Sequence, residues 1–451
     1  MQFKLSKDIL EQISKAIENG NDGFILSHLK DLHAADIAEI MHELSEDEGK
    51  YIFRLLESEK AADTLLELDE DVREDLLESL TTKEIAAHLN EMESDDAADV
   101  VGELPEEKKR EVISQIEDKT QVSDIEKLLI YEEGTAGAIM ASELISVNEN
   151  WTVERCIVEM RKQAQEIEHV YNIYVVNDEN ILIGVLSLKT LLFATPKTQI
   201  KELVNANIRF VYAHQTQEEA ARLMEKYDLV AMPVVDENKK LLGRITIDDV
   251  VDVIKEEAEK DYQMASGLSE KVESTDSIWV ISRARLPWLL VAMIGGIFAS
   301  RVIGIFEGEI QIHPEMAFFI PLVAAMGGNV GIQSAAIVVQ QLARQGIELN
   351  GIIPKLFKEL IVGLVNGLIC SGIILSYNLL FSDSVNLSLT VSIALLTVII
   401  FAAVFGTFVP LALNKYKIDP ALATGPFITT TNDILGALIY FTVGRILYSA
   451  F

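Results

Sequence analysis

The sequence predicts a multidomain fold: an all-α superhelical N-domain, a tandem pair of α/β units, a connecting helix and an α transmembrane domain of five helices. Three observations predict it. Charge is divided unevenly along the chain, long apolar runs are confined to one end, and the hydrophobic periodicity changes near residue 137. The 451 residues carry 38 Lys and Arg against 70 Asp and Glu, a formal net charge of −32. From residue 271 onward ten acidic residues face ten basic ones, so the whole excess lies in residues 1–270. Such a surface excludes a nucleic-acid partner, which needs basic groups for phosphate, and attracts cations. Cys156 and Cys370 form neither a disulfide framework nor a thiolate metal site and read as packing residues. The opening "MQFKLSKDIL" has no apolar signal core, which assigns the acidic part to the cytoplasm.

The N-domain, residues 1–130, contains short amphipathic segments with related phrases: "LHAADIAEIMHEL", "SEKAADTLLEL" and "SDDAADVVGELPEEKK". The recurring Ala-Ala-Asp with regular leucines predicts a superhelix of stacked helix pairs. Residues 131–255 hold two similar units, the first over about 137–198 and the second over about 199–255. Their endings, "VVNDENILIGVLSLKTLL" and "VVDENKKLLGRITIDDVV", align as strand, turn, strand entering a glycine, a hydroxyl at Ser187 or Thr246, and a helix. This pair resembles tandem CBS domains, regulatory modules that often bind adenine nucleotides. The resemblance implies ATP as a ligand, with Ser187, Thr246 and Asp249 as nucleotide-binding positions and the last two on the ribose. Lys189 and Thr190 replace the matching acidic position in the first unit.

The connecting helix is expected over residues 256–276, continuing from "TIDDVVDVI". Asp248 and Asp252, Asp252 and Glu256, and Glu257 and Asp261 are spaced four apart, so like charges stack and repel by a few tenths of a kcal/mol per pair. A charge run of this kind is commonly just a solvated face. Between a regulatory pair and a membrane domain it also suits a sensor, because bound divalent cations relieve the repulsion.

The transmembrane domain, residues 277–451, contains five apolar segments at about 286–306, 316–343, 356–381, 388–413 and 420–449, each near the roughly 20 residues needed to cross a bilayer core. Arg283, Arg285, Arg344, Lys355, Lys358, Lys415 and Lys417 flank alternate ends, while "EGEIQIHPEM" and "SDSVNLS" have no Lys or Arg. That pattern puts the N-terminus inside and the C-terminus outside. Pro287 and Trp288 read as a helix start and an interfacial anchor. Asp433, in "GPFITTTNDILGALIYF", is the outstanding polar residue, because an ionisable group at mid-membrane costs about 2.5 kcal/mol or more and usually faces a pore or a partner. Glu359 reads equally as a snorkelling or salt-bridging residue and as a functional one, and Arg301 and Arg445 as anchors at span ends. In "MGGNVGIQSA", residues 326–335, the glycines suit either close helix packing or irregular backbone lining a wet cavity. Packing alone leaves Asn329 and Gln333 unexplained. Pro321, Pro420, Pro426 and Gly425 add further breaks, as expected of a midplane ion site, whereas Gly363 and Gly367 read as packing. Carboxylate, amide and carbonyl oxygens are hard ligands that match Mg²⁺ or Ca²⁺.

Acidic N-domain, CBS pair, connecting helix and five spans together resemble the MgtE family of bacterial magnesium channels and transporters, most specifically in "PLVAAMGGNVGIQSA" and "DPALATGPFITTTNDILGALIYF". The resemblance implies a homodimer in the inner membrane in which Asp433 of each subunit holds hydrated Mg²⁺ in the pore, with Gly328, Asn329, Leu422 and Thr429 around its water shell. It implies sensor sites at Glu59, Asp95, Asp99, Glu218, Asp228, Asp248, Asp249, Asp252, Glu257, Asp261 and Asp419, where Mg²⁺ closes the channel. Lys260 interrupts that acidic face. Uptake then runs down the electrical gradient, worth about 4.6 kcal/mol for two charges across roughly 100 mV. The chain is not expected to be an enzyme: it has neither a phosphate-binding loop nor His-Glu-x-x-His. A CBS-bearing chloride channel requires more spans and groups aimed at an anion. A secondary transporter exchanging a divalent cation for Na⁺ or protons stays open, because Asp433 reads equally as a proton-coupled carboxylate.

Overall fold

The computed structural model describes residues 4–164, 167, 169–270, 272, 276–345, 352–381, 384–423 and 425–450. It divides into two compact units, Met1–Ile254 and Lys255–Phe451.

The first unit begins with helices α1 (Lys7–Glu18), α2 (Asp22–Leu29), α3 (Ala34–Glu43), α4 (Glu46–Leu55), α5 (Ser58–Leu66), α6 (Glu70–Ser79), α7 (Thr82–Leu89), α8 (Ser94–Glu103), α9 (Glu106–Gln115) and α10 (Lys119–Leu128). Capping boxes at His33 with Asp36, Ser45 with Glu48 and Thr81 with Glu84 start three of them, each satisfying helix-end amides that would otherwise lack partners. Alternate helices stack, α3 on α5, α5 on α7, α7 on α9 and α8 on α10. The repeated alanines explain this: Ala61, Ala62, Ala97 and Ala98 are buried, and their small side chains let neighbouring helices approach.

Two CBS units follow. The first has β1 (Ile145–Asn148), α11 (Val153–Gln163), β2 (Ile173–Val176), β3 (Leu182–Leu186) and α12 (Leu188–Phe193). The second has β4 (Val211–Tyr212), α13 (Gln217–Tyr227), β5 (Ala231–Val235), β6 (Leu241–Thr246) and α14 (Ile247–Ala265). Each sheet joins a parallel pair to an antiparallel pair, with a register shift at Val175/Val176 and at Val234/Val235. The duplication read from the sequence is thus repeated down to the irregularities. The units also exchange their flanking segments. Ala136 and Gly137 donate to Gln215 and Ala213 of the second unit, and Asn205 pairs with Val185 of the first. Gly184 and Gly243 occupy the crossings, where a side-chain carbon would strike the backbone of Asn205 or of Ala141.

The second CBS unit shares one hydrophobic core with the helical domain, running from Ile13 through Val101 and Met140 to Val253. The first has its own core, which includes Cys156, a packing residue as expected, whose thiol burial pushes up to about 11.

In the second unit the connecting segment expected as helix over 256–276 is helical only to Ala265. Gly267, at φ +84, turns the chain out of the helix, and Leu268 N–H closes back on Gln263 O at 3.0 Å. Lys271 and residues 273–275 lie outside the described residues. The long helices are α15 (Ile278–Ile305), α17 (Ile320–Gln345), α18 (Ile352–Phe381), α19 (Val385–Lys415) and α20 (Pro426–Ala450), with the short α16 (Glu307–Ile312) after the first. Among the described residues, four stretches, Ile278–Ile305, Pro314–Leu342, Ile352–Phe381 and Val385–Lys415, are long and apolar enough to cross a membrane. α20 has 25 residues and contains Asp433 and the polar run Thr429–Asn432. Pro287 does not start α15. Ser277 caps that helix, accepting from Val280 N–H, and Pro287 sits inside it, where it cannot donate to the carbonyl four residues back.

Candidate ion path and acidic junction

The stretch "MGGNVGIQSA" is uninterrupted helix within α17, which corrects the reading of its glycines as irregular backbone. Pro321 disturbs nothing, because it lies in the first turn, where an N–H has no intrahelical partner. The glycines are places of close approach. A side chain at Gly331 would run into Asn432 and Ile428 of α20, one at Gly327 would press on Val398 of α19, and Gly328 faces Thr429. Gly406 of α19 lies against the Gly331 carbonyl. Gly363 and Gly367 do the same between α18 and α19, against Ala403 and Leu396. Small residues allow backbones to meet where the hydrophobic effect no longer drives helices together.

The backbone does break before α20. Pro420–Ala423 form a 3₁₀ turn, Gly425 has φ +59, and Pro426 begins the helix. The Gly425 carbonyl accepts from both the N–H and the hydroxyl of Thr429, the latter at 2.9 Å. α17 and α20 then run antiparallel: Gly328 meets Thr429, Ala324 and Asp433 line one cavity, and Tyr440 Oη donates to the Met316 carbonyl at 2.9 Å. That cavity, about 170 Å³, is bounded by Ala299 and Ile303 of α15, Ile320, Val323 and Ala324 of α17, and Asp433, Ala437 and Tyr440 of α20. It has room for several waters, each needing at least about 15 Å³. Asp433 is half-buried, and among the described residues it makes no hydrogen bond or ion pair. Next to it Asn432 is 1% exposed with neither amide atom hydrogen-bonded.

Of the expected pore residues, the structure joins Gly328 to Thr429 and sets Asp433 one helical turn beyond Thr429. Asn329 and Leu422 are exposed, as is Gln333. Glu359 accepts from the buried Ser334 of α17 at 2.6 Å, so its partner is a neighbouring span rather than the lysines beside it. Arg445 pairs with Glu309 at 3.0 Å, in keeping with an anchor.

The end of α14 adjoins this break. The Ala265 carbonyl lies against Gly425, and Gly267 against Pro426. Nearby, burial raises the Asp261 carboxyl, and the charges of Asp419 and Glu257 raise it further. Lys260 pairs with Glu257 at 3.1 Å, and Asp419 Oδ1 accepts from Ala421 N–H at 2.8 Å.

In the first unit, carboxylates gather where α8 meets the second CBS unit. Carboxylate oxygens of Glu93, Asp95 and Glu143 lie within 4.8 Å of one another, a spacing that suits a metal ion. Asp95 is 7% exposed, and its Oδ1 has no hydrogen-bond partner. Burial, then the charges of Asp96 and Asp249, holds its carboxyl well above the usual range. Burial and Asp249 push Asp96 up to about 7, and Asp249 rises to about 6 through burial against two hydrogen bonds from Thr246. The expected sensor residues Asp95 and Asp249 are therefore brought together, with Asp248 close enough to act on both Asp96 and Asp249. Asp99 is near enough to raise Asp96. Glu59, Asp228 and Asp252 are exposed and Glu218 half-buried; nothing among the described interactions joins them to either cluster. Glu93, Asp96, Glu143 and Arg244 escaped sequence reasoning. The available signal was Arg244, a charge in the otherwise apolar strand "LLGRIT".

The two CBS hydroxyls differ in their partners. Thr246 N–H and Oγ1 both donate to Asp249 Oδ2, at 2.9 and 2.7 Å, whereas Ser187 Oγ meets Thr190 Oγ1 at 2.8 Å.

A helical domain sharing a core with a CBS unit, in one chain with several helices long and apolar enough to cross a membrane and a carboxylate on a cavity among them, fits a CBS-bearing, multi-pass membrane protein. Comparison with known proteins specifies the class. A model of the divalent cation transporter domain MgtE matches residues 320–443, one of the MgtE intracellular N domain matches 32–134, and CBS domains match 136–197 and 200–256. The magnesium transporter MgtE of Thermus thermophilus is 31% identical over 99% of this chain and 100% of its own length. That of Bacillus subtilis is 34% identical over 71% of each chain. The crystal structure of the soluble part of a magnesium transporter (30% identity, TM-score 0.50) covers 56% of this chain and 99% of its own. That of the cytosolic domain of the Mg²⁺ channel MgtE in complex with ATP (33%, TM-score 0.51) covers 54% and 99%. The chain belongs to the MgtE family of magnesium transporters.

Proposed function

We propose that this family member is a homodimeric, Mg²⁺-selective channel of the bacterial inner membrane, closed by cytosolic Mg²⁺. Asp433 carries the proposal. It is a lone carboxylate in an apolar cavity beside a broken helix, so an ion reaching it meets one hard ligand and keeps most of its water. Magnesium, which dehydrates reluctantly, suits such a site, and a second Asp433 from the partner subunit doubles the charge. Gly328, Asn329, Leu422 and Thr429 complete the water shell. α20 serves as a fifth span, with the N-terminus cytoplasmic and the C-terminus outside, and the domains divide near residues 130, 255 and 276.

Gating follows from the contact of α14 with Gly425 and Pro426. Mg²⁺ at Glu257, Asp261 and Asp419 draws the helix end onto the start of α20. At the acidic junction, Asp95, Asp99, Asp248, Asp249 and Asp252 respond in the same way, with Glu59, Glu218 and Asp228 on outlying surfaces. ATP at Ser187, Thr246 and Asp249 acts on the same junction, because Asp249 belongs to both.

The test is Mg²⁺ flux into liposomes holding the reconstituted protein. Asp433→Ala is expected to abolish selective flux, and undiminished flux with intact selectivity sinks the pore assignment. Patch-clamp of the same preparation over a range of internal Mg²⁺ separates channel currents from coupled exchange.

A further inference from the structure

We propose that Gln263, Ser269 and Glu270 are positioning residues that fasten the end of α14 to the first span, so that α15, as well as the start of α20, follows the connecting helix when the path closes. Only the closure rests on the gating reading above. About twelve residues separate Ala265 from Ile278. Fully extended, such a segment reaches roughly 40 Å, enough slack to absorb a shift of the helix end before α15 feels it. Three paired contacts take that slack out. Gln263, in the last turn of α14, holds Val272 twice: its Nε2 donates to the Val272 carbonyl at 3.0 Å and its Oε1 accepts from Val272 N–H at 3.1 Å. Ser269 donates twice to the Ala284 carbonyl of α15, from its N–H at 3.0 Å and from Oγ at 2.9 Å. Arg283, the neighbouring residue, donates from Nε and Nη2 to Glu270 Oε2, at 3.1 and 2.7 Å.

These contacts are unequal. Glu270 and Arg283 are exposed, and an exposed ion pair contributes little. Ala284 is fully buried, so water does not replace Ser269 at its carbonyl. That carbonyl lies one residue from the Arg283 carbonyl, which Pro287 deprives of its intrahelical donor. The strap therefore lands on the turn of α15 that is least bound to itself. Further along α15, Gly295 lies against Thr430 of α20 with no room for a side chain, and Ala299 and Ile303 bound the cavity of Asp433. A helix is a stiff element, so a displacement at Ala284 reaches that cavity. Glu257, Asp261 and Asp419, which the gating reading assigns to Mg²⁺, take no part in these bonds, so sensing and fastening are separable by mutation.

The experiment pairs hydrogen–deuterium exchange with patch-clamp, both on the full chain. The Ser269 and Val272 amides of wild type are expected to be protected, although they lie between helices. Gln263→Ala is expected to speed exchange at Val272 roughly tenfold, the scale of one lost hydrogen bond. Current in Mg²⁺-free internal solution and its selectivity should stay as in wild type. Closure is expected to need at least about fivefold more internal Mg²⁺ in Gln263→Ala and in Ser269→Ala, the lower end of ordinary coupling between sites. Ser269→Thr, which keeps the hydroxyl, should retain the wild-type closing curve, and Glu270→Gln should shift it least. Fast exchange at these amides in wild type, unchanged exchange in Gln263→Ala, faster exchange with an unshifted closing curve, or equal shifts in Ser269→Thr and Ser269→Ala each overturn the proposal. A wild type that closes at no internal Mg²⁺ defeats the gating reading instead, and the exchange measurements alone then decide the fastening.

Discussion

Asp95 and Asp433 are both drawn partly or wholly from water, and each has a carboxylate oxygen with no hydrogen-bond partner among the described residues. Their surroundings are opposite. Asp95 feels the charges of Asp96, Asp249, Glu93 and Glu143, with a guanidinium bound to the third of these. Asp433 looks onto aliphatic side chains and one tyrosine. A crowd of buried carboxylates holds a divalent ion firmly, as a sensor requires, while a single carboxylate backed by water holds it weakly enough to let it leave. In the proposed function the pair divides regulation from passage, and exchanging their fates is the most direct way to break that division. Asp433→Ala is expected to remove selective flux while leaving amide protection at the junction as in wild type. Asp95→Ala is expected to keep the flux and raise the internal Mg²⁺ needed to close it. Loss of flux in Asp95→Ala, with the protein folded, contradicts the division of roles.

The next effect sharpens the contrast from the regulatory side. Neutralising Asp248, Asp249 and Asp252 together removes carboxylates that would bind the closing Mg²⁺, so currents are expected to persist at internal Mg²⁺ levels that shut the wild type. Normal closure would show these residues to be a solvated face. Proton linkage gives an independent reading of the same charges. The folded protein keeps Asp96 protonated up to about pH 7 and Asp249 up to about pH 6, above the ordinary 3.8. The unfolded chain releases these protons first, so below the ordinary carboxylate range their contribution to stability is complete. It declines as pH rises through roughly 4 to 7. In EDTA, thermal unfolding of the first unit is expected at a lower temperature near about pH 7.5 than near about pH 5. Saturating Mg²⁺ should reverse most of that difference by binding the ionised form. A transition that rises with pH in EDTA would contradict the burial of this cluster.

Much of this was legible in the sequence, for identifiable reasons. The Ala-Ala-Asp phrases, the duplicated strand–glycine–hydroxyl endings and the apolar runs are local patterns, and local patterns specify helices, CBS units and spans. Asp433 was legible because a carboxylate in an apolar run is costly wherever the helix packs. The junction was not, because Glu93, Glu143 and Arg244 come from a helix start, an exchanged segment and a strand up to 151 positions apart. Tertiary pairings such as that of Ala141 with Arg244 bring such distant residues together. The glycines of "MGGNVGIQSA" were half legible. Their smallness predicts close approach, but whether backbone or a ligand approaches depends on α19 and α20, which no feature of residues 326–335 encodes.

That last ambiguity yields the smallest predicted effect, and it bears on how Asp433 is held. If the glycines of α17 serve packing, adding a methyl group must hurt in proportion to what it meets. At Gly331 it meets the Asn432 amide and, at 2.8 Å, Ile428; at Gly296 of α15 it meets nothing within 4 Å. Gly331→Ala is expected to lower the stability of the membrane unit by about 1–3 kcal/mol, the usual cost of overpacking. Gly296→Ala is expected to be neutral or stabilising by up to about 1 kcal/mol, because alanine suits a helix better. Thermal unfolding in detergent compares the two directly. Asn432 precedes Asp433, so displacing it moves the carboxylate along with the helix. Gly331→Ala should therefore also reduce flux, more than its loss of stability explains. Equal stability of the two variants would return the glycines to the other reading, in which they make room for something that is not a neighbouring helix.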